Sequence, residues 1–89
     1  MTVNLCDVIR AMNNVDRLRI LCYIHRYEPR QVKEMYIELN ISANQAAKHI
    51  TILREADLIF EDTKYKGKKL TINYDRLSFE NGKLKTITL

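Results

Sequence analysis

The stretch SANQAAKHITILREADL, residues 42–58, decides the fold because it predicts a capped helix with two unlike faces. Ser42 is followed three residues later by Gln45, a spacing typical of a capping box, in which the two side chains satisfy free backbone N–H groups. On a helical wheel one side carries Ala46, His49, Ile50 and Leu53, and the opposite side carries Asn44, Lys48, Thr51 and Glu55. We therefore expect a helix over about residues 43–56 that packs on one face and exposes the other.

Three segments before this stretch repeat their apolar residues with helical periodicity. The first covers about residues 3–12 and stops at Asn13-Asn14, and the second covers residues 15–27. The second is apolar on almost every side, which predicts the most buried helix. A third helix is expected over about residues 30–39, with Pro29 at a first helical position, where its missing N–H needs no partner. The inward positions would be Leu5, Val8, Ile9 and Met12 in the first helix and Val32, Met35, Tyr36 and Leu39 in the third.

After the capped helix the apolar period changes to two, which is typical of β-strands. Two short runs, residues 58–63 and 70–74, flank the segment KYKGKK, and together they predict a basic hairpin over about residues 58–74. A second hairpin is expected over residues 76–89 around Asn81-Gly82, the dipeptide that suits a type I′ turn. Its expected cross-strand pairs are Glu80 with Lys83 and Phe79 with Leu84. The expected apolar faces are Leu77, Phe79 and Leu84 on one side and Ile87 and Leu89 on the other, which would leave a second packing surface.

The chain has 89 residues, 46% of them apolar and 29% charged, which fits one domain with one modest core. The order of elements predicts a mainly helical α+β fold over residues 1–89, a winged helix-turn-helix with a basic hairpin wing and a C-terminal hairpin. Every apolar run is too short to cross a bilayer, and Asp7 lies where a signal peptide would be apolar. We expect a cytoplasmic protein with no membrane partner, and a small core of this kind favours a homodimer.

The positive charge is concentrated in the second half of the chain. Residues 1–40 carry six basic and five acidic side chains, whereas residues 41–89 carry nine and six. This distribution indicates a polyanionic partner. A helix of the predicted kind fits the major groove of double-stranded DNA, where amide and ammonium groups address base edges, and alanines at its surface allow close approach. The candidate recognition residues are Ser42, Ala43, Asn44, Gln45, Ala47, Lys48 and Thr51, and the candidate phosphate-binding residues of the wing are Lys64, Tyr65, Lys66, Lys68 and Lys69.

Other interpretations of the same residues remain open at this level. Polar groups on an exposed helix face are often only solvated, and lysines on a hairpin can prevent edge-to-edge association of sheets. The combination of a short turn, a capped helix with a polar face and a basic hairpin favours nucleic-acid contact.

Two stretches also resemble a known family. VDRLRIL at residues 15–21 is similar to the D-x-T-R-L-R-I-L opening of the ArsR-like winged-helix regulators. Residues 42–58 are similar to their recognition helix, S-Q-S-T-V-S-R-H-L-K-L-L-R-E-A-G-L. The match covers about residues 5–74 and implies a dimeric DNA-binding transcriptional regulator, usually a repressor. It places Ala43, Asn44, Gln45, Ala47 and Lys48 at DNA-facing positions and His49 at the family's histidine position, in a structural or phosphate-binding role.

The chain also departs from this family. The metal-sensing motif E-L-C-V-C-D-L would place its cysteines at Gln31 and Lys33, so that thiolate site is absent from the sequence. Asp57 stands where the family has glycine, which is tolerable because aspartate enters the left-handed region more readily than most residues. The usual C-terminal dimerisation helix is replaced by the second hairpin, which leaves the dimer geometry open.

The two cysteines, Cys6 and Cys22, are too few for a disulfide framework and are expected to be buried small apolar groups. Cys22 and His25 could chelate a soft ion at their i, i+3 spacing, but two ligands do not make a site, and we expect neither a metal nor a cofactor. Both histidines are expected in neutral packing roles. The sequence shows no phosphate loop and no nucleophile with a base and acid partner, so we expect no enzyme.

The leading hypothesis is a homodimeric transcription regulator that reads double-stranded DNA. The alternative is a winged-helix adaptor that docks on a protein partner, or a small accessory factor of a mobile element. Ile52 and the predicted two-faced terminal hairpin favour this alternative.

Overall fold

The computed structural model describes residues 4–28, 32–62 and 69–88. This part of the chain contains four helices followed by two antiparallel hairpins, each a separate two-stranded sheet. The elements are α1 (Leu5–Met12), α2 (Val15–Tyr27), α3 (Val32–Leu39), α4 (Ala43–Glu55), β1 (Ile59–Asp62), β2 (Lys69–Ile72), β3 (Leu77–Glu80) and β4 (Lys83–Ile87). The predicted mainly helical α+β fold is confirmed, and it is compatible with a winged helix-turn-helix.

Asparagine side chains set the starts of the first two helices. The Oδ1 atom of Asn4 accepts the N–H of Cys6 at 2.8 Å, and that of Asn14 accepts the N–H of Arg17 at 3.0 Å. Each bond satisfies one of the free donors of a first helical turn. The interruption predicted at Asn13-Asn14 is therefore the cap of α2. α1 begins at Leu5, about two residues later than expected, because Asn4 is its N-cap. The start expected for the third helix, including the role of Pro29, lies outside the described residues.

The most buried helix is α2, as predicted. Its residues Ile20, Leu21 and Ile24 are all 0% exposed and lie in a core shared with the other helices and both hairpins. The helix is not covered on every side, however, because Val15 at its start is 71% exposed. In α3 the predicted inward set is confirmed: Met35 is buried, and Val32, Tyr36 and Leu39 pack against the core.

The predicted apolar stripe of α1 is confirmed at Val8 and Met12 and wrong at Leu5 and Ile9. Val8 and Ala11 are the buried residues, whereas Leu5 and Ile9 are 51% and 59% exposed. Cys6 lies opposite Val8 and Ala11 on the wheel and is exposed, which corrects the expectation that both cysteines are buried. The buried side of α1 therefore includes Ala11, which the predicted stripe left out.

The wing hairpin is shorter at its base than predicted. β1 pairs with β2 from Ile59 opposite Ile72 to Asp62 opposite Lys69. Asn73 and Tyr74, expected at the end of the second strand, lie beyond it, because the Asn73 carbonyl accepts the N–H groups of Arg76 and Leu77 in a turn instead. The tip residues 63–68 lie outside the described part of the chain.

The terminal hairpin confirms the predicted turn, the pairing of Phe79 with Leu84 and the core-facing side that holds Leu77, and it corrects the second predicted face. Asn81 and Gly82 have φ angles of 54° and 76°, the left-handed values of a type I′ turn, and Glu80 pairs with Lys83 as expected. A register shift at Ser78/Phe79 adds one residue to β4, so Ile87 lies opposite Leu77. Cross-strand partners point to the same face, so Ile87 shares the side of Leu77 instead of forming a second apolar face. Leu89 lies outside the described residues.

None of the helices in the described segments has the length and apolarity that a bilayer crossing requires.

Two isoleucines give a matched test of this packing. Ile20→Ala removes a side chain that is 0% exposed, so we expect it to lower the free energy of unfolding by about 2–5 kcal/mol through lost burial and a residual cavity. Ile37→Ala changes a helical isoleucine that is 71% exposed, and we expect a change within about 0.5 kcal/mol. Urea unfolding followed by circular dichroism measures both, and equal losses in the two variants would contradict the described core.

Candidate nucleic-acid interface

The turn that leads into α4 is built on a left-handed asparagine. Asn40 has φ 56°, its N–H donates to the Ile37 carbonyl at 3.2 Å, and the next N–H, of Ile41, donates to the Tyr36 carbonyl at 3.0 Å. This pair of bonds is a Schellman motif, with asparagine in the position that most often holds glycine. It ends α3 and redirects the chain within two residues, so the connection expected at Asn40-Ile41 is confirmed.

The start of α4 is capped by one half of the predicted capping box. Ser42 Oγ accepts the N–H of Gln45 at 3.2 Å, but the Gln45 side chain accepts a hydrogen bond from the Ser42 hydroxyl instead of reaching the Ser42 backbone N–H. The Ser42 hydroxyl is therefore engaged in the cap. The Gln45 Oε1 atom accepts that hydrogen bond, so the Gln45 amide nitrogen remains as the group that can donate to other partners.

The predicted division of α4 into two faces is confirmed. Ala46 and Leu53 are 0% exposed and Ile50 is 6% exposed. The exposed residues at the start and outer side of the helix are Ser42, Ala43, Asn44, Gln45, Ala47 and Lys48. Thr51 is partly buried, and its hydroxyl donates to the Ala47 carbonyl at 3.0 Å, so it retains only acceptor capacity for a partner. All the predicted recognition residues thus lie together on one helix.

A buried arginine holds α4 against the rest of the domain. Arg17 on α2 is 8% exposed, and its Nε and Nη2 atoms donate to the Ala11 and Arg10 carbonyls at 2.7 and 3.0 Å. Both carbonyls belong to the last turn of α1, and the Arg10 carbonyl also accepts the N–H of Asn13 at 3.3 Å. Its Nη1 atom lies 3.2 Å from His49 Nδ1 on α4. One guanidinium therefore connects α1, α2 and α4.

His49 completes this cluster on the underside of α4. Arginine has no acceptor, so His49 Nδ1 accepts from Arg17 and the ring proton lies on Nε2. That nitrogen lies 4.0 Å from the Asp16 carboxylate. Burial lowers the pKa of His49 below the ordinary value of 6.5, Arg17 lowers it further, and Asp16 opposes both. The histidine is therefore a neutral acceptor in a structural position beneath the exposed face.

The base of the wing is attached to the end of α4 by polar contacts. Asp57 has φ 62° and ends α4 in a second Schellman motif, which confirms that aspartate adopts the left-handed conformation here. Its carboxylate accepts from Arg76 Nε at 3.0 Å, and its carbonyl accepts from Asn73 Nδ2 at 2.8 Å. Arg54 on α4 also pairs with Glu61 on β1 at 3.3 Å. These contacts fix the direction in which the wing leaves α4.

Of the predicted wing residues, only Lys69 lies in the described part of the chain. It begins β2, is partly buried and faces Asp62 in the strand register. Lys64, Tyr65, Lys66 and Lys68 lie outside the described residues, so their expected phosphate contacts stay predictions.

Sequence reasoning missed the polar residues that position α4 and the wing. Arg17 lies within the quoted VDRLRIL run, but its partners are distant in sequence and no periodicity predicts them. Asn73 is 5% exposed and forms the link at the wing base, and only its place after an apolar run distinguishes it. The Asp57–Arg76 pair likewise joins residues from different elements.

The remaining candidates from the sequence are the Cys22–His25 pair and Ile52. Across residues 4–28, 32–62 and 69–88, no three His, Cys, Asp or Glu side chains cluster in a way that would hold a metal ion. The Nδ1 atom of His25 lies 3.0 Å from the Tyr74 hydroxyl, and its ring stacks on Phe79 with centroids 4.0 Å apart. Ile52 is partly buried and packs against the core.

Residues 16–59 match a protein-family model described as a helix-turn-helix domain. The match spans α2, α3, α4 and the first residue of β1, which are the elements that form and support the exposed helix. This match indicates a helix-turn-helix domain over these elements, and such a domain suggests DNA as a partner. No curated protein and no solved structure matches the chain significantly.

Arg17→Met tests the buried guanidinium. Methionine keeps much of the apolar stem, but it removes the side-chain donors to the Ala11 and Arg10 carbonyls, so we expect the free energy of unfolding to fall by about 1–3 kcal/mol. Arg19→Met, on the same helix, removes an exposed ion pair to Asp16 and an exposed hydrogen bond to the Leu39 carbonyl and is the matched control, with an expected loss below about 1 kcal/mol. Urea titration measures both, and a loss for Arg17→Met no larger than the control's would contradict this role.

The lowered pKa of His49 can be tested by varying the pH. Its lowered pKa means that the folded state binds the proton more weakly than the unfolded state. The stability contributed by neutral His49 is therefore present above about pH 6.5 and is lost as the pH falls through the folded-state pKa. NMR titration of the ring Cε1 proton, assigned with His49→Gln, should give a midpoint below 6.5. A midpoint at or above 6.5 would show that His49 is not held neutral by burial and Arg17.

Proposed function

We propose that this protein is a sequence-specific double-stranded DNA-binding transcriptional regulator that represses as a homodimer. The observation that carries the proposal is the exposed start and outer face of α4, where Asn44, Gln45 and Lys48 project from a helix anchored by its other side. A helix of 13 residues is about 20 Å long, enough to lie in the major groove with its first turns at the base edges.

The recognition residues have separate roles in this proposal. Asn44 and the free amide nitrogen of Gln45 address base edges, and Lys48 supplies a cation one turn further along. Ala43 and Ala47 adjoin them on one side of the helix and keep the surface shallow, so that the backbone of α4 approaches the groove floor. Ser42 and Thr51 accept contacts while they hold the helix geometry.

In this proposal the wing adds affinity for DNA but does not distinguish one base sequence from another. Its strands leave the end of α4 in a direction set by Asp57, Asn73 and Arg76, and its lysine-rich tip follows in sequence between the two strands. We assign Lys64, Lys66, Lys68 and Lys69, with Tyr65, to the phosphates beside the groove.

Dimerisation would set the spacing of the two recognition helices. Two copies related by a twofold axis would place their α4 helices in successive major grooves about one turn, or about 34 Å, apart on a pseudo-palindromic site. The resemblance to ArsR-like regulators supports both the dimer and repression.

Variants of α4 and of the wing should fail in different ways. After selection of bound duplexes from a random pool, Gln45→Ala and Lys48→Ala should reduce the preference for the selected site by about 1–3 kcal/mol each, because they remove base contacts. Lys66→Ala and Lys68→Ala should weaken binding to all duplexes and lower the salt slope by about 1 each, since they remove phosphate contacts. Gel-shift titrations at several salt concentrations measure both effects.

Lys85→Ala is the matched control, because this exposed lysine lies on β4 and pairs with Glu80. It should leave the duplex affinity unchanged. If all four variants bind as the unaltered protein does, α4 is not the recognition helix. A protein that ignores selected and random duplexes alike at physiological salt in size-exclusion chromatography would be an adaptor instead.

A further inference from the structure

A cleft of about 350 Å³ lies on the side of α2 away from the Arg17 cluster. Its walls come from α2, the end of α3 and the turn of the terminal hairpin, and its lining includes Cys22, Tyr23, Tyr27, Leu39 and Gly82. Volumes of about 300–1,000 Å³ are typical of small-molecule sites. None of the roles assigned above to α4 or the wing uses this cleft.

One face of α2 forms the floor of the cleft. Arg19, Cys22, Tyr23 and Arg26 stand at i, i+3, i+4 and i+7, so they follow one another along two helical turns. Arg19 and Arg26 are therefore about 10 Å apart along the helix axis, with the thiol and the first tyrosine between them. The cleft is long enough for one ring with a short substituent.

The aromatic wall is formed by Tyr23 and Tyr27. Their ring centroids are 4.7 Å apart with the planes tilted by 46°, and Tyr27 is 57% exposed. A planar aromatic ligand would cover this exposed ring in an offset or edge-to-face arrangement. Burial, followed by the charges of Glu38 and Glu34, raises the pKa of Tyr23, so its hydroxyl stays protonated and available as a donor.

Two cationic side chains, those of Arg26 and Lys83, lie at the hairpin end of the cleft. The Arg26 guanidinium lies 5.9 Å from the Tyr27 ring centroid, and a Cβ atom at Gly82 would lie 2.9 Å from its Nη2 atom. Lys83 follows the turn as the first residue of β4 and also lines the cleft. Within the described segments neither Arg26 nor Lys83 forms an ion pair, whereas Arg19 at the other end pairs with Asp16 and lies near Glu38.

We propose that this cleft binds a small aromatic carboxylate. The carboxylate lies between Arg26 and Lys83, and the ring lies against Tyr23 and Tyr27. Glu38 at the opposite end repels the anion and so fixes the direction of binding. An inorganic anion would make no contact with the rings of Tyr23 and Tyr27, and a neutral aromatic compound would form no ion pair with Arg26 or Lys83.

Benzoate is the probe, and its two matched controls are benzamide and acetate. In ¹H–¹⁵N NMR titrations of the full chain without DNA, benzoate should shift the amide signals of residues 22–27 and 82–83, with a Kd on the order of 1 mM. Benzamide keeps the ring and loses the charge, so it should bind at least about tenfold more weakly. Acetate keeps the charge and loses the ring, and it should cause no saturable shift.

Arg26→Gln should weaken benzoate about tenfold and remove the difference between benzoate and benzamide. Arg10→Gln, an exposed arginine on α1, is the control and should bind benzoate as the unaltered chain does. If Arg26→Gln does not fold, Lys83→Gln at the exposed start of β4 takes its place with the same expected loss.

Three results would overturn this site: no saturable shift with benzoate, equal binding of benzamide, or unchanged binding in the Arg26→Gln and Lys83→Gln variants. Because the titration contains no DNA, its outcome is independent of the proposed regulatory function, which the α4 and wing variants test.

Discussion

The guanidinium of Arg17 is the contact on which the placement of α4 depends. Its three nitrogen donors lie between the helices. Two donate to last-turn carbonyls of α1, and the third donates to the neutral ring of His49 on α4. A buried cation is costly unless its hydrogen bonds are satisfied. The arrangement is therefore demanding in geometry, and a shift of α4 relative to α1 would break it. These hydrogen bonds hold the buried side of α4 in place, so its exposed face keeps a fixed orientation.

The turns that end α3 and α4 depend on left-handed residues that are not glycine. Asn40 and Asp57 end α3 and α4 with positive φ angles of 56° and 62°, and each starts a turn with two backbone hydrogen bonds. The chain has only two glycines, so asparagine and aspartate take these positions at modest conformational cost. Asp57 gains a second role because its side chain, unlike that of glycine, binds Arg76 and so directs the wing.

The two sides of α2 face the two sites proposed above. Arg17 points toward α4, whereas Arg19 and Arg26 line the cleft. Arg19 also donates to the Leu39 carbonyl at 3.0 Å, directly before the turn at Asn40. The helix-turn-helix and the cleft thus share one central helix and one contact at the end of α3, because a domain of this size has a single core around which every surface is arranged.

Local patterns in the sequence determined the four helices, the Ser42 cap, the two faces of α4 and the left-handed Asn81-Gly82 turn, because each depends on residues within a few positions of one another. The tertiary structure alone decided which side of α1 is buried, since Ala11 is covered by neighbouring elements that the apolar period of α1 does not specify. It also decided the partners of Arg17, the extra residue in β4 that turns Ile87 toward the side of Leu77, and the cleft between α2 and the terminal hairpin. These features join distant segments, and the energy of such contacts depends on three-dimensional proximity that periodicity along the chain does not record.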